Sequence, residues 1–108
     1  MTYAAEEGYP DGVTVDAEGC VWVAHWAGAR ITRLSSRGER KEVFTVPVPN
    51  VTSVCFGGDD LCTLFVTTAW EETTDRAAYP NAGDVFALNP GVRGLEEPHF
   101  HCSLNASR

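Results

Sequence analysis

The chain has 108 residues, enough for one small domain or for part of a larger one. Its 44% hydrophobic content is typical of globular proteins and argues against disorder. The net charge is −7, which repels phosphate backbones and anionic membranes, so we expect neither a nucleic-acid nor a membrane partner. No apolar run approaches the roughly 20 residues that span a bilayer, and the first residues lack a signal region, which predicts a cytoplasmic protein.

The first half of the chain consists of short β-rich runs separated by turn sequences. The runs are 13–15, 21–24, 30–34 and 41–46. Turn residues at 16–19 and 35–38 connect neighbouring runs, and the prolines in 47–49 end the pattern because proline cannot donate to a sheet. We therefore expect residues 12–46 to form one four-stranded antiparallel sheet without a long helix.

The second half repeats this pattern. Strands are predicted at 51–56, 64–67 and 84–88, and the second unit follows the first at an offset of 43 residues. A repeat of this size with short strands is typical of propeller blades. The predicted fold is all-β, with about two blades of a β-propeller: blade one at about 9–46 and blade two at about 49–100.

Between the last two predicted strands lies a polar insertion, residues 69–82, which is too long for a hairpin turn. It is interpreted either as a solvated loop or as a functional lid. Two blades do not close a propeller, because their lateral apolar faces stay uncovered. Either further blades or further copies of the chain are needed to cover them.

The stretch YPDGVTVDAEGCVWVA, residues 9–24, resembles the P-D-G-h-x-h-D-x-E-G-x-h-W-V-A signature of the gluconolactonase, regucalcin and luciferin-regenerating enzyme-like family. The resemblance continues in register to about residue 100. Its further segments are 26–34, 49–58, 64–69, 83–86 and 91–94. The resemblance implies a six-bladed β-propeller, of which this chain would be the C-terminal part.

In this family one divalent cation, usually calcium, is held in the central channel by a glutamate, an asparagine and the aspartate of P-D-G. Asp11 matches that aspartate, so the resemblance implies that it is both a metal ligand and the catalytic proton acceptor. Oxygen ligands also accept zinc and manganese. The other two ligands match no position here, so the ligand set is expected to be incomplete. By itself, P-D-G would be read as a favourable turn.

The resemblance implies hydrolysis of sugar lactones such as gluconolactone, with a metal that polarises the ester carbonyl and activates water. We therefore expect a fragment of a metal-dependent sugar-lactone hydrolase that is inactive alone. The alternatives are a calcium-binding or regulatory propeller and a truncated remnant without function. A homo-oligomer in which three two-blade chains close one ring is a further alternative.

Other polar residues give weaker signals. His25 and Trp26 end the second predicted strand, where they could bind the sugar or simply pack at the strand end. The two imidazoles of His99 and His101 would share one face of a terminal strand, a weak indication of metal binding. Asp16 and Glu18 are expected to be solvated turn residues.

Overall fold

The computed structural model describes residues 4–96 and shows an all-β chain, which confirms the predicted fold class. A short 3₁₀ helix at Ala5–Glu7 precedes the strands. The strands are β1 (Tyr9–Val15), β2 (Val21–Trp26), β3 (Arg30–Leu34), β4 (Arg40–Thr45), β5 (Val51–Gly57), β6 (Thr63–Thr68) and β7 (Val85–Leu88). Within the described residues, no helix is long and apolar enough to cross a membrane.

The strands form two antiparallel meanders. The first sheet has the order β1-β2-β3-β4, as the turn sequences predicted, and the second has the order β5-β6-β7. The division of the chain into blades at 9–46 and 49–100 stays a prediction, since the second segment extends beyond the described residues.

The apolar core lies between the two sheets. Trp22 stacks on Phe44 at 5.4 Å between ring centroids and meets Phe56 edge-on at 5.8 Å. Val51 and Val54 are both buried although they are three positions apart, because the register of β5 shifts between Val51 and Ser53. Such a bulge turns consecutive apolar residues onto one face. The buried core residues are Trp22, Ala24, Ile31, Val46, Val48, Val51, Val54, Leu64 and Val66.

The turn between β1 and β2 contains a buried carboxylate, which corrects the expectation that Asp16 is solvated. Asp16 is fully buried. Its Oδ1 accepts hydrogen bonds from the backbone N–H groups of Glu18 and Cys20, at 2.9 and 3.0 Å. Its Oδ2 accepts from Trp22 Nε1 and Arg33 Nε, both at 2.9 Å. These four donors replace the water that an exposed turn aspartate would bind.

The remaining N–H groups of Arg33 face two further carboxylates. Arg33 donates to Glu18 at 3.2 Å and to Glu42 at 3.1 Å. Although burial acts to raise the pKa of the Asp16 carboxyl, the hydrogen bonds from Trp22, Cys20 and Arg33 outweigh it and hold the pKa below its ordinary value. Glu18 itself is 63% exposed at its side chain, as expected for a turn residue.

The segment before β1 is fixed against the turn between β2 and β3. The Glu7 carboxylate pairs with Arg40 through two hydrogen bonds and lies 3.5 Å from Arg30. Hydrogen bonds from Arg40 and from the Ala4 backbone lower the pKa of Glu7 to about 2. Gly28 allows the close approach, because a Cβ at this position would lie 2.0 Å from the Glu7 carbonyl oxygen. The direction in which the chain enters β1 is therefore determined by these contacts.

We predict that Asp16→Asn lowers the free energy of unfolding by about 3 kcal/mol, because it leaves the buried Arg33 guanidinium without its most buried counter-charge. Glu18→Gln is the matched control on the same arginine. Since Glu18 is mostly exposed, its loss should be below about 1 kcal/mol. Urea unfolding followed by tryptophan fluorescence measures the free energy of unfolding of both variants. Equal losses would show that the burial of Asp16 does not make its ion pair with Arg33 more stabilising than that of the exposed Glu18.

A second prediction concerns acid stability. The pKa of Glu7 falls from 4.5 to about 2 on folding, so Glu7 stabilises the fold above pH 4.5, and this contribution is lost as the pH falls towards 2. Glu7→Gln should therefore be less stable than wild type at pH 7 and lose less stability between pH 4.5 and 2. Thermal melts by circular dichroism across this range provide the measurement.

Glu6→Gln is the control for Glu7, because Glu6 is exposed and has no ion pair within residues 4–96. Its stability curve should follow that of wild type. If wild type and Glu7→Gln lost stability in parallel between pH 4.5 and 2, Glu7 would not be the group that links stability to pH in this range.

Candidate functional site

Asp11 lies at one end of the two sheets, which we call the Asp11 rim. Tyr9 at the start of β1 pairs with Trp26 at the end of β2, and Val51 pairs with Thr68 in the same way. The rim therefore contains the starts of β1 and β5, the turn between β2 and β3, and the loop between β6 and β7. At this rim β1 and β5 approach closely.

Gly12 is required for that approach, since a Cβ at this position would lie 2.3 Å from Ser53 Oγ. β1 and β5 are thus neighbours, while β4 and β7 lie at the outer edges of their sheets. Asp11 therefore belongs to the inner edge of the two-sheet unit.

The Asp11 side chain sits in an irregular part of β1. The pairing with β2 shifts register between Pro10 and Val13, so Asp11 and Gly12 form a bulge. Bulges are frequent beside functional sites because they change the direction of a side chain. Asp11 is exposed, and no hydrogen bond or ion pair joins its carboxylate to another residue in the described range. Its oxygens are consequently open to an external ligand.

An open carboxylate is the type of donor that calcium prefers, and Asp11 fits one position in a coordination shell. Calcium takes about six to eight oxygens, however. Within residues 4–96 no group of three or more His, Cys, Asp or Glu side chains could hold a metal ion. Glu7 is held by Arg40 and Arg30. The described residues of one chain thus supply one metal ligand, Asp11, and do not form a complete metal site.

His25 lies inside the fold. It is fully buried, with Nδ1 2.7 Å from the Glu7 carbonyl oxygen and Nε2 2.9 Å from Thr32 Oγ1. Burial lowers the pKa of the imidazole and favours its neutral form. This geometry agrees with packing at the strand end. Trp26 is half-buried opposite Tyr9, and sugar binding by His25 and Trp26 stays a prediction.

Asn50 connects two parts of the Asp11 rim and was not identified from the sequence. It is buried; its Oδ1 accepts a hydrogen bond from the Ala27 N–H at 3.2 Å, and its carbonyl oxygen accepts from the Ala69 N–H at 3.0 Å. The turn after β2 and the loop after β6 are thereby joined. An asparagine after a proline is read as a turn residue, so only its burial reveals this role.

The loop between β6 and β7 folds on itself above this junction. Arg76 Cζ lies 4.3 Å from the centre of the Trp70 ring, and Trp70 is 42% exposed. Asp75 Oδ1 accepts a hydrogen bond from the Ala77 N–H at 2.9 Å, and Thr68 Oγ1 accepts one from the Gly83 N–H at 3.0 Å. The loop is therefore an ordered part of the Asp11 rim. The weak metal signal of the two imidazoles near the C-terminus lies outside the described residues.

Comparison with known proteins identifies the family. Residues 1–70 match the SMP-30/Gluconolactonase/LRE-like region. A 6-deoxy-6-sulfogluconolactonase from Pseudomonas putida is 40% identical over 95 residues, which are 86% of this chain and 33% of that protein. Regucalcin from Gallus gallus is 41% identical over 95 residues, covering 83% of this chain and 31% of that protein.

A solved structure agrees with the sequence matches. The crystal structure of a calcium-binding protein, regucalcin from Agrobacterium tumefaciens, has a TM-score of 0.83 and 34% identity to this chain, of which it covers 89%. The match covers 33% of that structure, and the chain spans about a third of the length of these relatives. The chain therefore belongs to the SMP-30/gluconolactonase/LRE-like family, and its two sheets are about two blades of a six-bladed β-propeller.

Proposed function

We propose that this chain forms part of a propeller that hydrolyses a sugar lactone, with Asp11 as a ligand of a divalent cation, most simply calcium. The observation that carries the proposal is the exposed Asp11 carboxylate, which lies in a bulge at the inner edge of the fold without an internal partner among residues 4–96. The relative from Pseudomonas putida, named as a lactonase, supports the reaction class.

Asp11 would also act as the proton acceptor. When an attacking water forms its bond to the lactone carbonyl carbon, one water proton passes to the Asp11 carboxylate. The ring C–O bond then breaks, the leaving oxygen takes up a proton, and the product is an open hydroxy acid. A bound cation would supply polarisation of the carbonyl. Its remaining ligands would come from beyond residues 4–96 of a single chain.

A second candidate function is a calcium-binding propeller without turnover. The matches to proteins named regucalcin, one of them described as calcium-binding, favour this alternative. Both functions use Asp11 in the same way at the cation. They differ in whether lactone is consumed, so a binding measurement and a turnover measurement on the same protein separate them.

The third prediction tests Asp11 in a complete propeller that joins this chain to the preceding two thirds of a relative. Asp11→Asn should weaken calcium binding at least about tenfold and reduce lactonase activity about a hundredfold or more, because a ligand and a proton acceptor are lost together. The melting temperature without metal should stay unchanged, since apolar packing holds the blade. Calorimetry and hydrolysis of gluconolactone are the measurements.

Asp59→Asn provides the control, because Asp59 is also an exposed carboxylate but lies in the β5–β6 turn at the opposite end of the sheets. It should leave calcium binding and turnover intact. Full activity of Asp11→Asn would refute the proposal. An equally large loss of metal-free stability would make Asp11 a structural turn residue. Calcium binding without any turnover in the unsubstituted propeller would favour the second candidate.

A further inference from the structure

The loop between β6 and β7 carries an arginine that lies over an exposed indole at the Asp11 rim. Arg76 Cζ is 4.3 Å from the centre of the Trp70 ring, well within the separation of about 6 Å at which a cation and an aromatic face attract each other. Trp70 is 42% exposed, and Arg76 is exposed as well. The indole therefore holds the guanidinium at the surface of the rim.

The carboxylates of the same loop do not pair with Arg76. Glu71 Oε1 accepts a hydrogen bond from the Thr73 hydroxyl at 3.1 Å, and Asp75 Oδ1 accepts one from the Ala77 N–H at 2.9 Å. Among residues 4–96, no carboxylate lies within ion-pair distance of Arg76 and no acceptor takes a hydrogen bond from it. The N–H donors of its guanidinium are consequently open to an external acceptor.

The other arginine of the rim is already neutralised. Arg30 lies 3.5 Å from the Glu7 carboxylate, and its Nε donates to the Gly28 carbonyl oxygen at 2.9 Å. Arg76 has no such counter-charge in the described part of the chain. A planar guanidinium with unpaired donors is suited to an oxyanion, because two parallel N–H groups can bind two of its oxygens at once.

The loop that carries Arg76 is folded at its base and within its tip. The Ala69 N–H donates to the Asn50 carbonyl oxygen at 3.0 Å, and the Tyr79 N–H donates to the Asp75 carbonyl oxygen at 2.8 Å. A group that is already held in place loses less conformational entropy when a ligand binds than a freely moving side chain does. Arg76 is thus better prepared for binding than an arginine without such support.

We propose that Arg76, held by Trp70, binds an oxyanion on the sugar and selects lactones that carry a phosphate, sulfonate or carboxylate group. The inference rests on the proposed function for the lactone itself. Asp11 lies on β1 at the inner edge, whereas the loop follows β6, so the ester and the acidic group would be held at separate places on the rim. Because the chain has a net charge of −7, an acidic sugar needs a fixed cation at its binding site.

The first test titrates the full 108-residue chain, isotope-labelled for NMR, with glucose 6-phosphate, glucuronate and glucose. The two acidic sugars should shift the side-chain N–H signals of Arg76 and Trp70, whereas glucose at the same concentration should not. Comparison of the phosphate with the carboxylate shows which oxyanion binds more tightly. If neither acidic sugar shifts these signals, or if glucose shifts them equally, the proposal is wrong.

The second test uses substitutions in the pair, with circular dichroism to check the fold. Arg76→Gln should raise the half-saturating concentration of glucose 6-phosphate at least about tenfold, because the charge-assisted hydrogen bonds are lost. Arg76→Lys should give an intermediate loss, since it keeps the charge but not the paired donors. Trp70→Ala should weaken binding about threefold and Trp70→Phe less, because a phenyl ring still attracts the guanidinium.

Arg37→Gln is the matched control. Arg37 is also exposed and has no ion pair or ring contact with residues 4–96, but it lies in the β3–β4 turn at the opposite end of the sheets. This variant removes the same charge and should bind glucose 6-phosphate like wild type. Equal losses in Arg37→Gln and Arg76→Gln would show a general effect of net charge and would overturn the proposal.

The complete propeller provides a third measurement. Arg76→Gln should lower the ratio of kcat/KM for 6-phosphogluconolactone to that for gluconolactone about tenfold, mainly through KM for the phosphorylated lactone. An unchanged ratio would overturn the proposal. If the propeller hydrolyses no lactone at all, the proposed function fails, whereas the titration of the single chain still tests Arg76. The two proposals therefore fail separately.

Discussion

The burial of Asp16 is the constraint on which the rest of the fold depends. A carboxylate inside a protein is costly unless donors surround it, and here the donors come from its own turn, from the Trp22 indole and from Arg33. Trp22 belongs to β2 and Arg33 to β3, and Asp16 directly follows β1. The hydrogen bonds to the Asp16 carboxylate therefore align these three strands. The same turn also contacts the segment that follows β7. The Ala17 N–H donates a hydrogen bond to the Arg93 carbonyl oxygen at 2.8 Å, and Asp16 forms an isolated antiparallel β-bridge with Gly94.

This arrangement also explains why an aromatic residue lies at the centre of the core. The Trp22 indole gives its N–H to Asp16 and its ring to Phe44 and Phe56, so one side chain links the polar turn with the apolar interior. Arg33 lies 5.8 Å from the centre of the same ring. Trp22 therefore both donates a hydrogen bond to the buried carboxylate and fills the core. A substitution at this position would remove the hydrogen bond and the packing together.

The strands were predictable from the sequence because each run is short, β-branched or aromatic, and bounded by turn residues. The burial of Asp16 was not, because its partner Arg33 is distant along the chain and a charged turn is ordinarily solvated. Asp11 was identified through the family signature, since P-D-G alone is a common turn. The partners of His25 and the link made by Asn50 depend on tertiary contacts, for which neither residue has a local pattern.

Asn50 has a consequence for how this rim can change during evolution. It anchors the root of the loop after β6 to the turn after β2, and beyond the root the loop is stabilised largely by its own hydrogen bonds. Loops that fold on themselves above a fixed base tolerate replacement of their tips. The segment between Trp70 and Asn81 can therefore be exchanged or lengthened while the strand that carries Asp11 keeps its place. The length and composition of this segment are thereby uncoupled from the packing of the blade beneath it.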